Sequence, residues 1–428
     1  MRKSPGGKLG RYLVVGVGPL ASAGVQFVQS LALLRVLSPD DFGRFTFLLV
    51  AAQFSWGLWS ALFCAPLPAL VAKADADRRE AVLRTLFSTN LLVAAGAAVL
   101  FLGLALALGL EWPSALLFAG FAAVSLLRWF GRSFAYVAGH PVRTMASDLC
   151  YSAVLLVAVA AVLANGAESL LITYAALFVS AIVGLLPFGR DYLRRQIAGF
   201  DARAVPAYAQ IFRLHSGWSL IGVATTEATA NAHAYIVTAM LGPRAFAPIA
   251  ASALMIRPIG VSLNALMEFE RAQMARAIGT GRLDEAVGAV RFFRTVMVLV
   301  WLTTALAAAL VLTQAPQLIF PERYSVTFLT EAAALWLGVA ALRLIRAPES
   351  AFLQAAGAFG ALARTSMISC LVSLAAVTLL LWRFGLLWSI VGIMLGEAVF
   401  AFGTRRQARA WLGARRAASG TTVMAGGE

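Results

Sequence analysis

Apolar residues fill a dozen long runs of this chain, most of roughly 20 or more positions, each separated from the next by a short polar connection. The runs cover 12–37, 43–72, 86–110, 114–137, 147–165 and 168–188. After a polar stretch at 189–216 come 217–241, 245–270, 292–313, 327–354, 362–383 and 385–404. A bilayer core takes roughly 20 residues of helix, and a helix satisfies its own backbone there. The pattern predicts an all-α integral membrane protein with about 12 transmembrane helices.

Charge sets the expected orientation. With the N-terminus inside, the inner segments hold roughly 25 basic residues, among them Arg2, Lys3, Lys73, Arg143, Arg194, Arg282 and Arg405. The outer loops hold only Arg44, Arg244, Arg323 and Arg383. An even number of spans with both termini cytoplasmic fits that asymmetry. The first run extends too far for a signal peptide and predicts an uncleaved first helix.

Composition narrows the class. With 61% hydrophobic and 13% charged residues, the chain has no polar block for a soluble catalytic domain. A net charge of +15 would point to nucleic acid in a soluble protein, but topology accounts for it here, so no nucleic-acid partner is expected. Cys64, Cys150 and Cys370 fall inside apolar runs without metal or redox spacing. There is no phosphate-binding glycine loop and no nucleophile elbow, and the outer loops are short. No enzyme activity, metal or cofactor is predicted.

The halves echo each other. Leu37-Ser38-Pro39-Asp40-Asp41-Phe42-Gly43 follows the first run, and Leu241-Gly242-Pro243-Arg244-Ala245-Phe246-Ala247 follows the seventh, with Leu, Pro and Phe in register. Proline closes one helix and opens the next in both places. Leu127-Arg128 ahead of Ala138-Gly139 and Arg143-Thr144 is matched by Leu342-Arg343 ahead of Ala356-Gly357 and Arg364-Thr365. Six intervening spans make the repeat parallel. The expected organisation is a six-helix bundle at 1–188, an amphipathic cytoplasmic linker at 189–216, a second six-helix bundle at 217–404 and a basic cytoplasmic tail at 405–428, the bundles enclosing a central lateral cavity.

Ionisable residues inside the runs are the candidate chemistry, because a charge at mid-bilayer costs at least ~2.5–3.5 kcal/mol on insertion scales. Arg128 and Arg132 share a face of the fourth span, and Arg343 and Arg346 one of the tenth; with Arg257 they form a candidate cationic cavity for an anion. The alternatives are snorkelling to the interface or, for Arg346, pairing with Glu349. Glu227, one turn from Asn231 and with Arg257 as a candidate partner, and Glu397 are the ion-coupling candidates for a proton or sodium gradient. Glu331 and Asp148 are expected near membrane edges. Trp56 and Trp59 are candidate sugar-stacking platforms, with aromatic packing as the alternative.

The connection Leu33-Leu34-Arg35-Val36-Leu37-Ser38-Pro39-Asp40-Asp41-Phe42-Gly43-Arg44-Phe45, together with the twelve-span layout, resembles the bacterial polysaccharide-unit flippases. These form the Wzx-like branch of the multidrug/oligosaccharidyl-lipid/polysaccharide exporter superfamily. The resemblance implies a bacterial inner-membrane carrier, set among membrane lipids, that moves undecaprenyl-diphosphate-linked oligosaccharide to the periplasmic leaflet by alternating access, coupled to an ion gradient. The product would serve O-antigen, capsule or exopolysaccharide assembly, with a polysaccharide polymerase and a chain-length regulator as candidate partners. On that resemblance Arg128, Arg257 and Arg343 would neutralise the diphosphate or acidic sugars, and Glu227 would be the coupling candidate. The other readings are a multidrug-extrusion-type or other small-molecule secondary transporter and, lower, a lipid II flippase, whose relatives carry two additional spans.

Overall fold

The computed structural model describes residues 6–72, 75–165 and 169–425, so Arg2, Lys3 and Lys73 lie outside it. Among the described residues, twelve long helices account for the runs: α1 (Gly6–Val36), α2 (Pro39–Trp59), α3 (Ala76–Ala107), α4 (Trp112–Val137), α5 (Pro141–Asn165), α6 (Leu170–Leu185) and α7 (Gly217–Leu241). Then α8 joins Pro243–Ala253 to Arg257–Gly279 through a 3₁₀ turn, followed by α9 (Leu283–Gln314), α10 (Val326–Ala355), α11 (Phe359–Phe384) and α12 (Trp388–Ala425). Ten spans among the described residues are long and apolar enough to cross a membrane. α7 and α12 are not among them: α7 carries Glu227, Asn231 and His233, and α12 carries Glu397 before turning basic at Arg405.

Local chemistry explains the breaks. Ser38 caps α2 by accepting from the Asp41 amide at 3.1 Å, Pro39 opens the helix, and Asp40 and Asp41 occupy its positive first turn. Arg44 closes that turn with an ion pair to Asp40 at 2.6 Å. α5 begins at Pro141, six residues before the expected span, and α9 begins at Leu283, nine before. The basic residues after 404 continue α12 as helix to Ala425.

The chain forms two compact units. One comprises Met1–Ala224, Leu241–Ala250 and Ile319–Pro321; the other comprises Thr225–Met240, Ala251–Leu318 and Glu322–Glu428. An aromatic core holds the first, where Phe87 packs edge-on against Phe130 at 5.1 Å and Trp59, Phe63, Phe188 and Tyr192 surround them. The core of the second is aliphatic and methionine-rich around Met274, Met297, Leu344 and Phe352.

The segment after α6 is docked on the first unit. The Tyr192 hydroxyl donates to the Leu127 carbonyl at 2.7 Å, and the Gln196 amide to Phe87 at 3.3 Å. The Tyr208 and Ser216 hydroxyls each donate to Leu62 at 2.8 Å. Ile197, Phe200, Phe212 and Leu214 stay exposed. Burial pushes the Tyr192 and Tyr208 hydroxyls above the ordinary tyrosine range. A raised folded-state value means that this docking keeps its full stability below the unfolded tyrosine value of about 10 and loses it as pH rises beyond. Tyr192→Phe/Tyr208→Phe is expected to remove that alkaline loss, read by proteolysis of the segment between pH 9 and 12, at a cost of about 1 kcal/mol per lost hydrogen bond.

Candidate functional site

In the first unit, α4 and α5 bring two arginines onto one carboxylate. Arg128 and Arg132 lie one turn apart on α4, and each reaches Asp148 Oδ1 of α5 at 2.5 Å. Asp148 is fully buried and Arg128 is 8% exposed. Arg128 Nε also donates to Ser147 Oγ at 3.0 Å, and that hydroxyl donates to the Gly184 carbonyl of α6 at 2.5 Å. The Arg128 guanidinium lies 4.5 Å from the Tyr151 ring centre, and that of Arg132 lies 5.0 Å from Trp129. Two guanidiniums on one carboxylate leave a formal surplus of one positive charge. Asp148 Oδ2 has no hydrogen-bond partner among the described residues.

The second unit builds the same motif from another helix. Arg343 and Arg346 of α10 reach Glu397 of α12, Arg343 Nε to Oε1 at 2.8 Å and Arg346 Nε to Oε2 at 3.0 Å. Glu397 is 1% exposed. Arg343 also points at the Ala230 carbonyl of α7 at 3.4 Å, and Arg346 lies over Phe400 at 4.4 Å. Glu227, half-buried on α7, accepts from Asn231 Nδ2 at 3.2 Å, with Arg343, Arg346 and Glu397 in its electrostatic surroundings. A hydroxyl ladder ties α7 to α11: Thr225 to Ser366 at 2.7 Å, and Ser373 to the Thr229 carbonyl at 3.2 Å.

Packing sets the register between the two motifs. Ser147 on α5 donates to Gly184 of α6, and Ser369 on α11 donates to Gly396 of α12 at 2.8 Å. A Cβ on Gly184 would meet the Tyr151 Cβ at 3.1 Å, and one on Gly396 would meet that of Ser373 at 2.5 Å, each side chain lying one turn beyond its serine. Asp148 therefore corresponds to Cys370, and Glu397 to Leu185. This register is one residue off the Arg143-Thr144 and Arg364-Thr365 echo. Both units keep the arginine pair, but the acid comes from the fifth helix in one and the twelfth in the other.

Four of the five arginines of the sequence analysis, Arg128, Arg132, Arg343 and Arg346, are thus brought together in two pairs, each with an acid. Asp148, expected at a membrane edge, is instead buried at the centre of the first group, because α5 starts at Pro141 and places it two turns in. Arg346 pairs with Glu397; Glu349 pairs with Arg294. The hydrogen bonds of Glu227 go to Asn231, while Arg257 sits half-buried at the start of the second segment of α8. Trp59 is enclosed in the first unit's core at 3% exposure, and Trp56, half-buried, stacks on Trp129 at 5.5 Å. Ser147 and Tyr151 were missed and Asp148 was placed at an edge; the signal was that an embedded arginine pair requires an anion, and Asp148 falls just inside the next apolar run.

No protein-family model matches the chain, and no curated protein matches it in sequence. Solved structures do match. A multidrug resistance MATE family transporter of the MOP superfamily, in its inward-facing conformation, aligns with a TM-score of 0.68 at 16% identity, covering 94% of this chain and 98% of that one. An outward-facing conformation of such a transporter gives 0.63 at 16% identity, over 94% and 95%. A MOP superfamily transporter from Pyrococcus furiosus, reported with a binding pocket of reverse polarity, gives 0.64 at 16% identity, over 94% and 95%. The chain has the MATE-like fold, an all-α multi-pass membrane architecture of twelve helices in two bundles. At these identities the neighbours show the fold alone, and they give no support to the polysaccharide-unit branch in particular.

Proposed function

We propose that this chain is a secondary transporter of the multidrug-extrusion type that carries an amphipathic organic anion by alternating access. The observation that carries the reading is the surplus cation at Arg128, Arg132 and Asp148. Arginine cannot shed its charge at accessible pH, so this group changes state only by exchanging partners. An incoming carboxylate, sulfonate or phosphate supplies the second negative charge and competes with Asp148 for the same donors. Glu227 in the second unit serves as the coupling acid, since Arg343 and Arg346 are already engaged by Glu397. The fold it shares with transporters solved facing inward and outward supports the alternating-access part. The charge asymmetry of the chain supports cytoplasmic termini, with a bacterial inner membrane as the proposed location.

A second reading is transfer of a polyprenyl-diphosphate-linked oligosaccharide, which would bring the polymerase and chain-length regulator in as partners. The connection Leu33–Phe45 favours it, and a diphosphate suits the same surplus charge. For the Pyrococcus furiosus neighbour, a binding pocket of reverse polarity is reported to suggest a different function, which keeps this second reading open for the shared fold.

Arg132→Gln tests the reading while leaving Arg128 and Asp148 as a balanced pair. In proteoliposomes the native protein is expected to move a fluorescent amphipathic anion, and the variant to move it about tenfold to a hundredfold more slowly, the loss of a hydrogen bond to a charged group. Equal rates in both would sink the proposal. Transfer of a fluorescent polyprenyl-diphosphate oligosaccharide without movement of the small anion would select the second reading.

A further inference from the structure

A cavity of about 660 Å³ opens in the first unit where α3, α4 and α5 meet the segment after α6. Its basic lining comes from His140, Arg143, Arg194 and Arg195, against Glu80 and Asp191. Arg195 is engaged by Glu80 at 2.7 Å, and Arg143 is held in place by donating to the Phe188 carbonyl at 2.9 Å. Arg194 forms no ion pair among the described residues, and Arg143 and Arg194 are both exposed. The floor is aromatic: Tyr192 packs against Phe188 at 5.3 Å and Phe134 at 6.0 Å.

Position decides what such a cavity binds. Its lining residues straddle the ends of the spans Trp112–Val137, Pro141–Ala164 and Leu170–Phe188, so it sits where hydrocarbon gives way to water. The arginine asymmetry assigns that side to the cytoplasm. Val142, Leu186 and Ile197, neighbours in sequence of the lining residues, are 58%, 55% and 60% exposed. The anionic end of the ligand therefore has guanidiniums to meet, and its apolar end has an apolar surface alongside. A volume of this size holds a headgroup with its glycerol, not a bare phosphate.

We propose that this cavity binds the phosphate headgroup of an anionic glycerophospholipid from the cytoplasmic leaflet, with Arg143 and Arg194 on the phosphate and Val142, Leu186 and Ile197 beside the acyl chains. Such a lipid fastens the docked segment to α4 and α5 and makes its position sensitive to membrane composition. The inference goes beyond the transport reading and stands without it.

The test uses the full chain in detergent micelles titrated with phosphatidylglycerol or phosphatidylcholine, with retained lipid counted by native mass spectrometry. Native protein is expected to retain one phosphatidylglycerol in preference to phosphatidylcholine. Arg143→Gln/Arg194→Gln is expected to bind it roughly thirty-fold more weakly, the loss of two interfacial cations. Arg194→Gln alone, which breaks no hydrogen bond of the protein, is expected to lose roughly fivefold and guards against misfolding. Arg364→Gln/Arg406→Gln removes the same charge from the second unit and is expected to leave retention unchanged. Equal retention in the Arg143/Arg194 variant and this control would overturn the proposal. So would displacement of the lipid by millimolar pyrophosphate together with equally tight pyrophosphate binding in lipid-free detergent, which would identify a soluble phosphate as the ligand.

Discussion

Asp148→Ala is expected to destabilise the first unit by about 3–5 kcal/mol, the cost of removing one partner from a buried ion group. The substitution strands two guanidiniums: Arg128, 8% exposed, and Arg132, whose side chain is 15% exposed. Arg132 can lean on Trp129 and Arg128 on Tyr151, but a cation–π contact returns only about 0.5–2 kcal/mol. Thermal and denaturant unfolding of the detergent-solubilised protein, followed by circular dichroism, measures the loss. Replacing the whole group, as Arg128→Met/Arg132→Met/Asp148→Leu, is expected to recover most of that stability, since apolar residues of similar volume substitute for a buried ion group at little cost. Transport is expected to be absent in the triple variant. Full stability without transport would show that the charges serve function; a triple variant as unstable as Asp148→Ala would show that they hold the bundle together.

The repeat offers a sharper version of the same experiment. Glu397 corresponds to Leu185 by the serine-to-glycine contacts that lock α5 to α6 and α11 to α12. In the second unit a carboxylate at that position reaches both arginines of α10. Asp148→Ala/Leu185→Glu is therefore expected to regain at least half of the stability lost in Asp148→Ala. A double variant less stable than the single one would refute the correspondence.

Much of this architecture is legible in hydropathy alone, because a bilayer permits so few alternatives. Pro39 and Pro243 mark the same joint in each half, and there the chain packs so closely that a Cβ on Gly43 would collide with the Pro243 carbonyl. Pairing was not legible. Arg128 and Arg132 stand out as embedded charges, yet their counter-ion lies on the next helix at a depth that depends on where α5 starts. Pro141, Arg143 and Thr144 interrupt the apolar pattern between 141 and 146 and hide that start from a hydropathy reading. The acid that engages Arg346 lies not on its own helix, where Glu349 is three residues away, but on α12. Side chains at i and i+3 are neighbours on one helix surface; here helix-to-helix packing outranks that proximity, and no spacing rule reports it. The docked segment after α6 was equally hidden, since Tyr192 and Tyr208 find their acceptors on carbonyls of α4 and of the chain beyond α2.

Glu227→Gln is expected to leave folding and anion binding intact and to abolish the response of transport to a pH gradient. The groups around Glu227 are Asn231 on its own helix, Tyr235 one turn further, Arg343 and Arg346 on α10, and Glu397 on α12. Glu397 takes the ion pairs of both arginines and leaves the same formal surplus of one positive charge as Asp148 does in the other unit, and Glu227 is the nearby carboxylate, outside those ion pairs, that offsets it. A glutamine keeps the acceptor for Asn231 and removes only the ability to exchange a proton. One proton moved per cycle across a difference of one pH unit carries about 1.4 kcal/mol, a roughly tenfold change in the accumulation ratio of the anion. Native protein in proteoliposomes is expected to show that shift when the gradient is reversed, and Glu227→Gln to give a ratio near one in either direction while the rate of exchange at equal pH is preserved. Glu397→Gln provides the contrast: it takes the counter-ion from Arg343 and Arg346 and is expected to lower stability by about 3–5 kcal/mol, as loss of Asp148 does in the first unit. Gradient dependence that survives in Glu227→Gln would remove this residue from coupling and leave the two ion-paired acids as the groups that carry the proton.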